Sequence, residues 1–249
     1  MKKFDGIIIM ILVTFLLTGC LYPSEQRVEN QVPYPDQLMS VQQAVNQYKA
    51  DTGVLPIQNR EMDTPVYQKY PVDFRQLVPR YLQNPPGNSF ENGGVYQYVL
   101  VNVEEDEAEV KLIDLSVMRE IQKLQMELNQ YMRKNDLAPI DEMIDTGLFT
   151  LKFDKLKYKE APTVRTPYFG NELPLLIDNS GQILIDYRMD INMALQQFDH
   201  SYSYGDDIRD VLVKNYPFVP VFSIPYTINE QGEPDYFMDL VYGRVEQTN

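Results

Sequence analysis

His200 is the chain's one histidine. It sits in the stretch Phe198-Asp199-His200-Ser201-Tyr202-Ser203-Tyr204-Gly205-Asp206-Asp207. A base beside hydroxyls and carboxylates is the set that nucleophilic hydrolysis needs. Here the set is thin. A single imidazole cannot build a multi-histidine zinc centre, and no Gly-x-Ser-x-Gly elbow presents a serine to it. The stretch reads instead as a polar connector in which Asp206 or Asp207 caps the next helix. Glu104, Glu105, Asp106, Glu107 and Glu109 form an acidic run. Such a run offers the oxygens calcium prefers, but it lacks the EF-hand spacing and its glycine, and a solvated turn accounts for it. No phosphate-binding glycine loop occurs. With 36 acidic residues, carboxylate pairs of the glycosidase kind arise by chance and carry no signal. The sequence therefore predicts no catalytic residue, no cofactor and no metal site.

Composition narrows the partners. The formal net charge is −14, which repels nucleic acid and anionic surfaces within a Debye length of about 8 Å. No nucleic-acid partner is expected. Of the 18 tyrosines, some cluster at 67, 70, 81, 96 and 98, and again at 202, 204, 216, 226, 236 and 242. Tyrosine suits packed hairpins, and it also suits a wet, half-apolar binding face.

Cys20 is the only cysteine, so no disulfide forms within the chain. Lys2 and Lys3 precede an apolar run from Gly6 to Leu17, shorter than the roughly 20 residues of a spanning helix and of signal-peptide length. The run ends in Leu17-Thr18-Gly19-Cys20, which resembles the bacterial lipobox. The resemblance implies cleavage before Cys20 and a diacylglyceryl group on its thiol. Residues 1–19 are then a signal peptide, and the mature protein hangs by its lipid from the extracytoplasmic face of the cell membrane. Residues 20–38 are polar, with prolines at 23, 33 and 35, and read as an extended, flexible tether.

The elements behind the tether carry an internal similarity. Gln42, Asn46, Gln47, Tyr48, Pro56 and Ile57 recur 83 positions later as Gln125, Asn129, Gln130, Tyr131, Pro139 and Ile140, and Gly87-Asn88 recurs as Gly170-Asn171. The spacing predicts an α+β chain of repeated helix-plus-β-hairpin units: 39–115, 116–190 and a diverged third at 191–249. In the first helix Met39, Ala44, Val45 and Tyr48 would share a face, with Ser40 and Gln43 as a capping box. In the second, Val117, Ile121, Leu124, Leu128 and Tyr131 make an apolar stripe, with Ser116 as the cap. Gly53 and Asn135 end the two helices. Hairpins are expected at 95–101 with 108–113, at 175–177 with 183–185, and within 224–237, where Pro225 and Gly232 match Pro174 and Gly181 at a shift of 51.

Within 39–101, the strings Tyr48-Lys49-Ala50-Asp51-Thr52-Gly53-Val54-Leu55-Pro56 and Phe74-Arg75-Gln76-Leu77-Val78-Pro79-Arg80-Tyr81-Leu82, then Pro85-Pro86 and Tyr96-Gln97-Tyr98, resemble the globular head of type II secretion major pseudopilins. That implies a pseudopilin-like head fold. It does not imply filament assembly, which needs a retained apolar helix that the lipobox would remove. In layout the chain also resembles lipoproteins of spore-forming Gram-positive bacteria to which no activity is assigned. The expectation is a non-enzymatic binding or assembly module of the cell envelope with a protein partner. The alternatives are a small-ligand or glycan-binding lipoprotein with a tyrosine-lined cleft and, behind it, a carboxylate-dependent hydrolase.

Overall fold

The computed structural model describes residues 34–105 and 107–241. The leader, Cys20 and the tether up to residue 33 lie outside the described residues. The described chain is α+β and divides into two compact units. One contains residues 34–54 and 74–94, the other 55–73 and 95 onward.

The first unit is built on helix α1 (Tyr34–Thr52) and the short α2 (Phe74–Leu77). Val41, Ala44 and Val45 are buried at helical spacing, with Phe74 and Leu77. Gln37 is also buried because its Oε1 accepts the Asn88 backbone N–H at 3.2 Å. The residues that carried the pseudopilin resemblance tie helix to loop. The Tyr48 hydroxyl donates to Gln76 (2.6 Å), and both Tyr81 and Arg80 donate to Asp51 at 2.9 Å. Tyr48 and Tyr81 meet edge to face.

In the second unit, β1 (Tyr96–Val101) pairs antiparallel with β2 (Glu109–Asp114). Both edges of this hairpin are covered. Val72 and Leu100 exchange backbone hydrogen bonds with Tyr98 and Tyr70 on one side, and Leu112 bonds Pro217 and Val219 on the other. Tyr98, Val99, Leu100 and Leu112 are accordingly buried. The chain passes straight into α3 (Leu115–Asn135), whose Val117, Ile121, Leu124 and Leu128 are buried. It packs on a five-stranded sheet of β3 (Ile140–Asp145), β4 (Leu148–Leu151), β6 (Glu172–Asp178) and β5 (Thr163–Arg165), with β7 (Ile183–Ile185) paired to β6. β3 is an edge strand, and its register against β4 is irregular. After the sheet come α4 (Arg188–Gln197), α5 (Asp210–Asn215), the hairpin β8 (Tyr226–Ile228) and β9 (Pro234–Tyr236), and α6 (Met238–Val241). Among the described residues no helix is long and apolar enough to cross a membrane.

The hairpins β6–β7 and β8–β9 share their registers at a shift of 51: Leu175 faces Ile185 as Tyr226 faces Tyr236. Their turns are alike too. Asp178 Oδ1 accepts the N–H groups of Ser180 and Gln182, and Asn229 Oδ1 those of Gln231 and Glu233. Gly181 and Gly232 supply the left-handed residue each turn requires (φ 84° and 78°).

Several expectations need correction. The first helix starts at Tyr34, so residues 34–38 are helical where a tether was expected, and Ser40 lies inside the helix and cannot open a capping box. Met39 is 61% exposed, because it lies about 200° around the helix from Gln37 and Val41, which are on the buried face. The cap of α3 is Asp114, which accepts the Ser116 N–H at 2.8 Å, and not Ser116 itself. α5 has no side-chain cap: Asp206 closes the turn from Ser203, and Asp207 holds its own neighbour Arg209. The segment 39–115 is divided between the two units. In the second segment, β3, β4 and β5 intervene between the helix and the expected hairpin, and the shift of 83 does not foresee them.

The α3 stripe should dominate stability. Leu128 is fully buried, so Leu128→Ala should cost roughly 2–5 kcal/mol in denaturant unfolding. Met126, 66% exposed on the same helix, should cost less than about 0.5 kcal/mol when changed to Ala.

Candidate functional site

A helix advances roughly 100° per residue. That places Lys123, Glu127, Gln130 and Lys134 on one face of α3, roughly a third of a turn around from the buried stripe. The facing wall is made by the chain after β4. A 3-10 turn at Phe153–Leu156 ends at Lys157, whose φ of 70° is left-handed. The Lys157 N–H closes onto Phe153 and Asp154, and the Tyr158 N–H onto Phe153. Phe153 and Tyr158 then meet edge to face. The reversal brings the Tyr158 hydroxyl back to α3, where it donates to Glu127 at 2.5 Å.

Between the two walls lies a groove of about 530 Å³. Lys123 and Lys134 rim it on the helix side, Lys155 and Lys157 on the other, with Leu156, Tyr131 and Tyr158 between them. Leu156 is buried, while Tyr131, Glu127 and Tyr158 are half-buried. In the whole chain acidic residues outnumber basic ones 36 to 22. In this groove four lysines face one carboxylate. Lys155 has Asp154 at 3.9 Å. Among the described residues no carboxylate comes within 4.0 Å of the ammonium of Lys123, Lys134 or Lys157. Glu127 has one oxygen engaged by Tyr158. Desolvation, then the bond to Glu127, pushes the Tyr158 phenol up to about 12, so it stays a neutral donor at physiological pH.

A second cleft, of about 470 Å³, is lined by Tyr67, Tyr70, Leu100, Val101, Val103 and Asp207. The Asp207 carboxylate in its wall is already engaged. Arg209 is forked onto Asp207, bonds Ser223, and lies 5.1 Å over the Tyr67 ring. Burial holds the Tyr67 phenol protonated.

The residues flagged in the sequence are not assembled into chemistry. His200 stacks on Tyr202 at 5.6 Å in its loop. Ser203 and Tyr202 donate to Asp206 and Asp210 rather than to the imidazole. Glu104 and Glu105 border the second cleft, and Asp106 lies outside the described residues. No group of three His, Cys, Asp or Glu side chains among the described residues is placed to hold a metal. The buried Asp190 accepts from Thr166 and from Asn171 (2.7 Å), and desolvation raises its pKa; it locks α4 to the loop after β5. Tyrosines 187 and 226 are core residues whose hydroxyls donate to the backbone of Val221 and Ile185. The lysine groove was missed in the sequence. The signal for it was the run of Lys152, Lys155, Lys157 and Lys159, out of character with an acidic chain.

Comparison with known proteins gives one match. Residues 34–114 match the model of the YphF family N-terminal domain. The match spans α1 through β2 and ends at Asp114, the cap of α3, so the groove lies wholly beyond it. No curated protein matches the chain, and no solved structure does.

Two outcomes follow from the groove's geometry. A left-handed residue costs a side chain about 1–2 kcal/mol that glycine avoids, so Lys157→Gly should be more stable than Lys157→Ala by about 1 kcal/mol in chemical denaturation. Tyr158 has a folded pKa above the unfolded value of 10.0. Its contribution is therefore complete below pH 10 and is lost as pH rises through about 12. Tyr158→Phe should lessen the fall in melting temperature across that alkaline interval and leave the behaviour below pH 9 unchanged in slope.

Proposed function

We propose that the chain is an exported lipoprotein, anchored through a lipid on Cys20 to the extracytoplasmic face of the cell membrane, that acts in the envelope by binding and not by turnover. The groove between α3 and residues 153–158 is its ligand site. The observation that carries the reading is the groove itself: a concavity of about 530 Å³, within the roughly 300–1,000 Å³ of ligand pockets, rimmed on an acidic chain by four lysines of which, among the described residues, Lys155 alone has a carboxylate within 4.0 Å. The lipobox-like Leu17-Thr18-Gly19-Cys20 supports the address. Two acyl chains hold a protein stably where one is marginal, and tethering raises the effective concentration near membrane partners, so modest affinity suffices. An envelope protein remains the expected partner of the assembled module. A small-ligand reading through the Tyr67–Tyr70 cleft stands second, supported by its more apolar lining.

The address is tested by Cys20→Ala in the native host. Wild type should incorporate labelled fatty acid and fractionate with membranes, and the variant should take up no label. Equal labelling of both proteins would remove the anchoring from the proposal. Turnover of peptide, ester, glycan or phosphate substrates by the full chain, abolished by His200→Ala, would replace binding with catalysis.

A further inference from the structure

We infer that the α3 groove binds a compact ligand carrying two or more phosphate groups. This rests on reading the groove as the ligand site and names the ligand's class. Three features select phosphate. First, the cationic groups are all lysines. A lysine ammonium is a compact point charge on a flexible stem with three donors, and in that form it serves as a phosphate binder whose donors turn to meet oxygens in several directions. Second, the lysines are spread out. Lys123 and Lys134 are eleven residues apart on α3, about 16 Å at about 1.5 Å per residue, with Lys155 and Lys157 across the groove. One phosphate cannot reach all four; two or more in sequence can. Third, four ammonium groups against the single Glu127 leave a net positive interior, and among the described residues no carboxylate comes within 4.0 Å of the wall lysines other than Lys155.

The shape and the overall charge set the ligand's size. A chain of formal charge −14 repels extended polyanions and flat anionic surfaces at a distance, but salt screens that field beyond roughly 8 Å. A short ligand inside the groove feels the lysines directly. Glu127 acts as a filter. With one oxygen held by Tyr158, its charge opposes any anion near the middle of the groove and weakens binding of a single phosphate there. The Gln130 side chain and the Tyr131 ring supply a polar and an aromatic surface for whatever joins the phosphates. The phosphates are either those of a soluble molecule or those of a lipid headgroup.

The test is calorimetric titration of the full chain in neutral detergent with tripolyphosphate and with inorganic phosphate at low ionic strength. Alongside it, full-length Cys20→Ala protein is co-sedimented with phosphatidylcholine vesicles with and without a lipid diphosphate. Tripolyphosphate should bind more tightly than phosphate by at least about tenfold, and binding should weaken as salt is raised. Lys123→Gln and Lys157→Gln should each weaken it by about three- to tenfold, in line with charge-assisted bonds at exposed sites. Glu127→Gln, which keeps a partner for the Tyr158 hydroxyl, should strengthen it by a similar factor; a gain of affinity cannot come from misfolding. Sedimentation only with lipid-diphosphate vesicles, lost in the lysine variants, supports the same chemistry with a headgroup as its source. Absence of binding in both arms overturns the inference, as does binding that the three substitutions leave unchanged. Either failure leaves standing the fatty-acid labelling result, which tests the anchored-lipoprotein reading separately.

Discussion

The rotation of α3 about its own axis governs the second unit. Val117, Ile121, Leu124 and Leu128 are each nearly inaccessible, and apolar burial of this kind stabilises by roughly 25 cal/mol per Å² removed from water. Four such side chains at spacings of four, three and four define a single buried direction. Once that direction is set against the sheet, the directions of all other α3 residues follow. One polar flank, with Gln125, is taken up by the β6–β7 hairpin, and the other carries Lys123, Glu127, Gln130 and Lys134. The Asp114 cap fixes where the helix begins and hence the height of each side chain above the sheet. The opposite wall then has one task, which is to return residues 155–158 to that flank. The left-handed Lys157 and the Tyr158–Glu127 bond accomplish this. Elsewhere the unit relies on a different device. Asp186 and Arg188, and again Asp207 and Arg209, form bidentate pairs two residues apart, each with its guanidinium over a tyrosine ring.

What could be read in the sequence divides along physical lines. Features set by neighbours in the chain were legible. The α3 stripe, the hairpins with Gly181 and Gly232 at their turns, and the ends of the first two helices at Gly53 and Asn135 all follow from periodicity and turn chemistry, and the α+β class follows from them. Features set by competition between local options were misread. Ser116 and Asp114 both make good caps, and the carboxylate took the role by accepting from Ser116. The start of α1 was placed late because Pro35 looked like tether, although proline is well tolerated in a helix's first turn. Features set by distant parts of the chain were not legible at all. Nothing local says that Lys155 and Lys157 face Lys123 and Lys134, or that residues 217–219 complete the edge of the first hairpin.

The order of elements also reads differently in three dimensions. The sequence similarity at a shift of 83 puts each helix before a hairpin. In the fold, every hairpin of the β1–β2, β6–β7 and β8–β9 set is followed at once by a helix, α3, α4 and α6 respectively. In the first two cases an aspartate at the strand end accepts from the backbone two residues on, Asp114 from Ser116 and Asp186 from Arg188. A strand that ends in such an aspartate already holds the first turn of the helix that follows, which makes hairpin-then-helix a natural local module.

Under the proposed anchoring, the edge strand β3 bears on how copies of the chain meet one another. A protein confined to a surface meets its own kind far more often than one free in solution, and an open strand edge is a template for pairing with another. β3 is exposed along most of its length, with Met143 69% accessible, which would make it adhesive were it apolar and flat. It is neither. Asp141, Glu142 and Asp145 charge it with one sign, and the irregular register between Ile140 and Asp145 bends it out of plane. Two such edges brought side by side would set carboxylate against carboxylate on mismatched backbones. Its charge and irregular register thus work against edge-to-edge pairing of two copies into a continuous sheet.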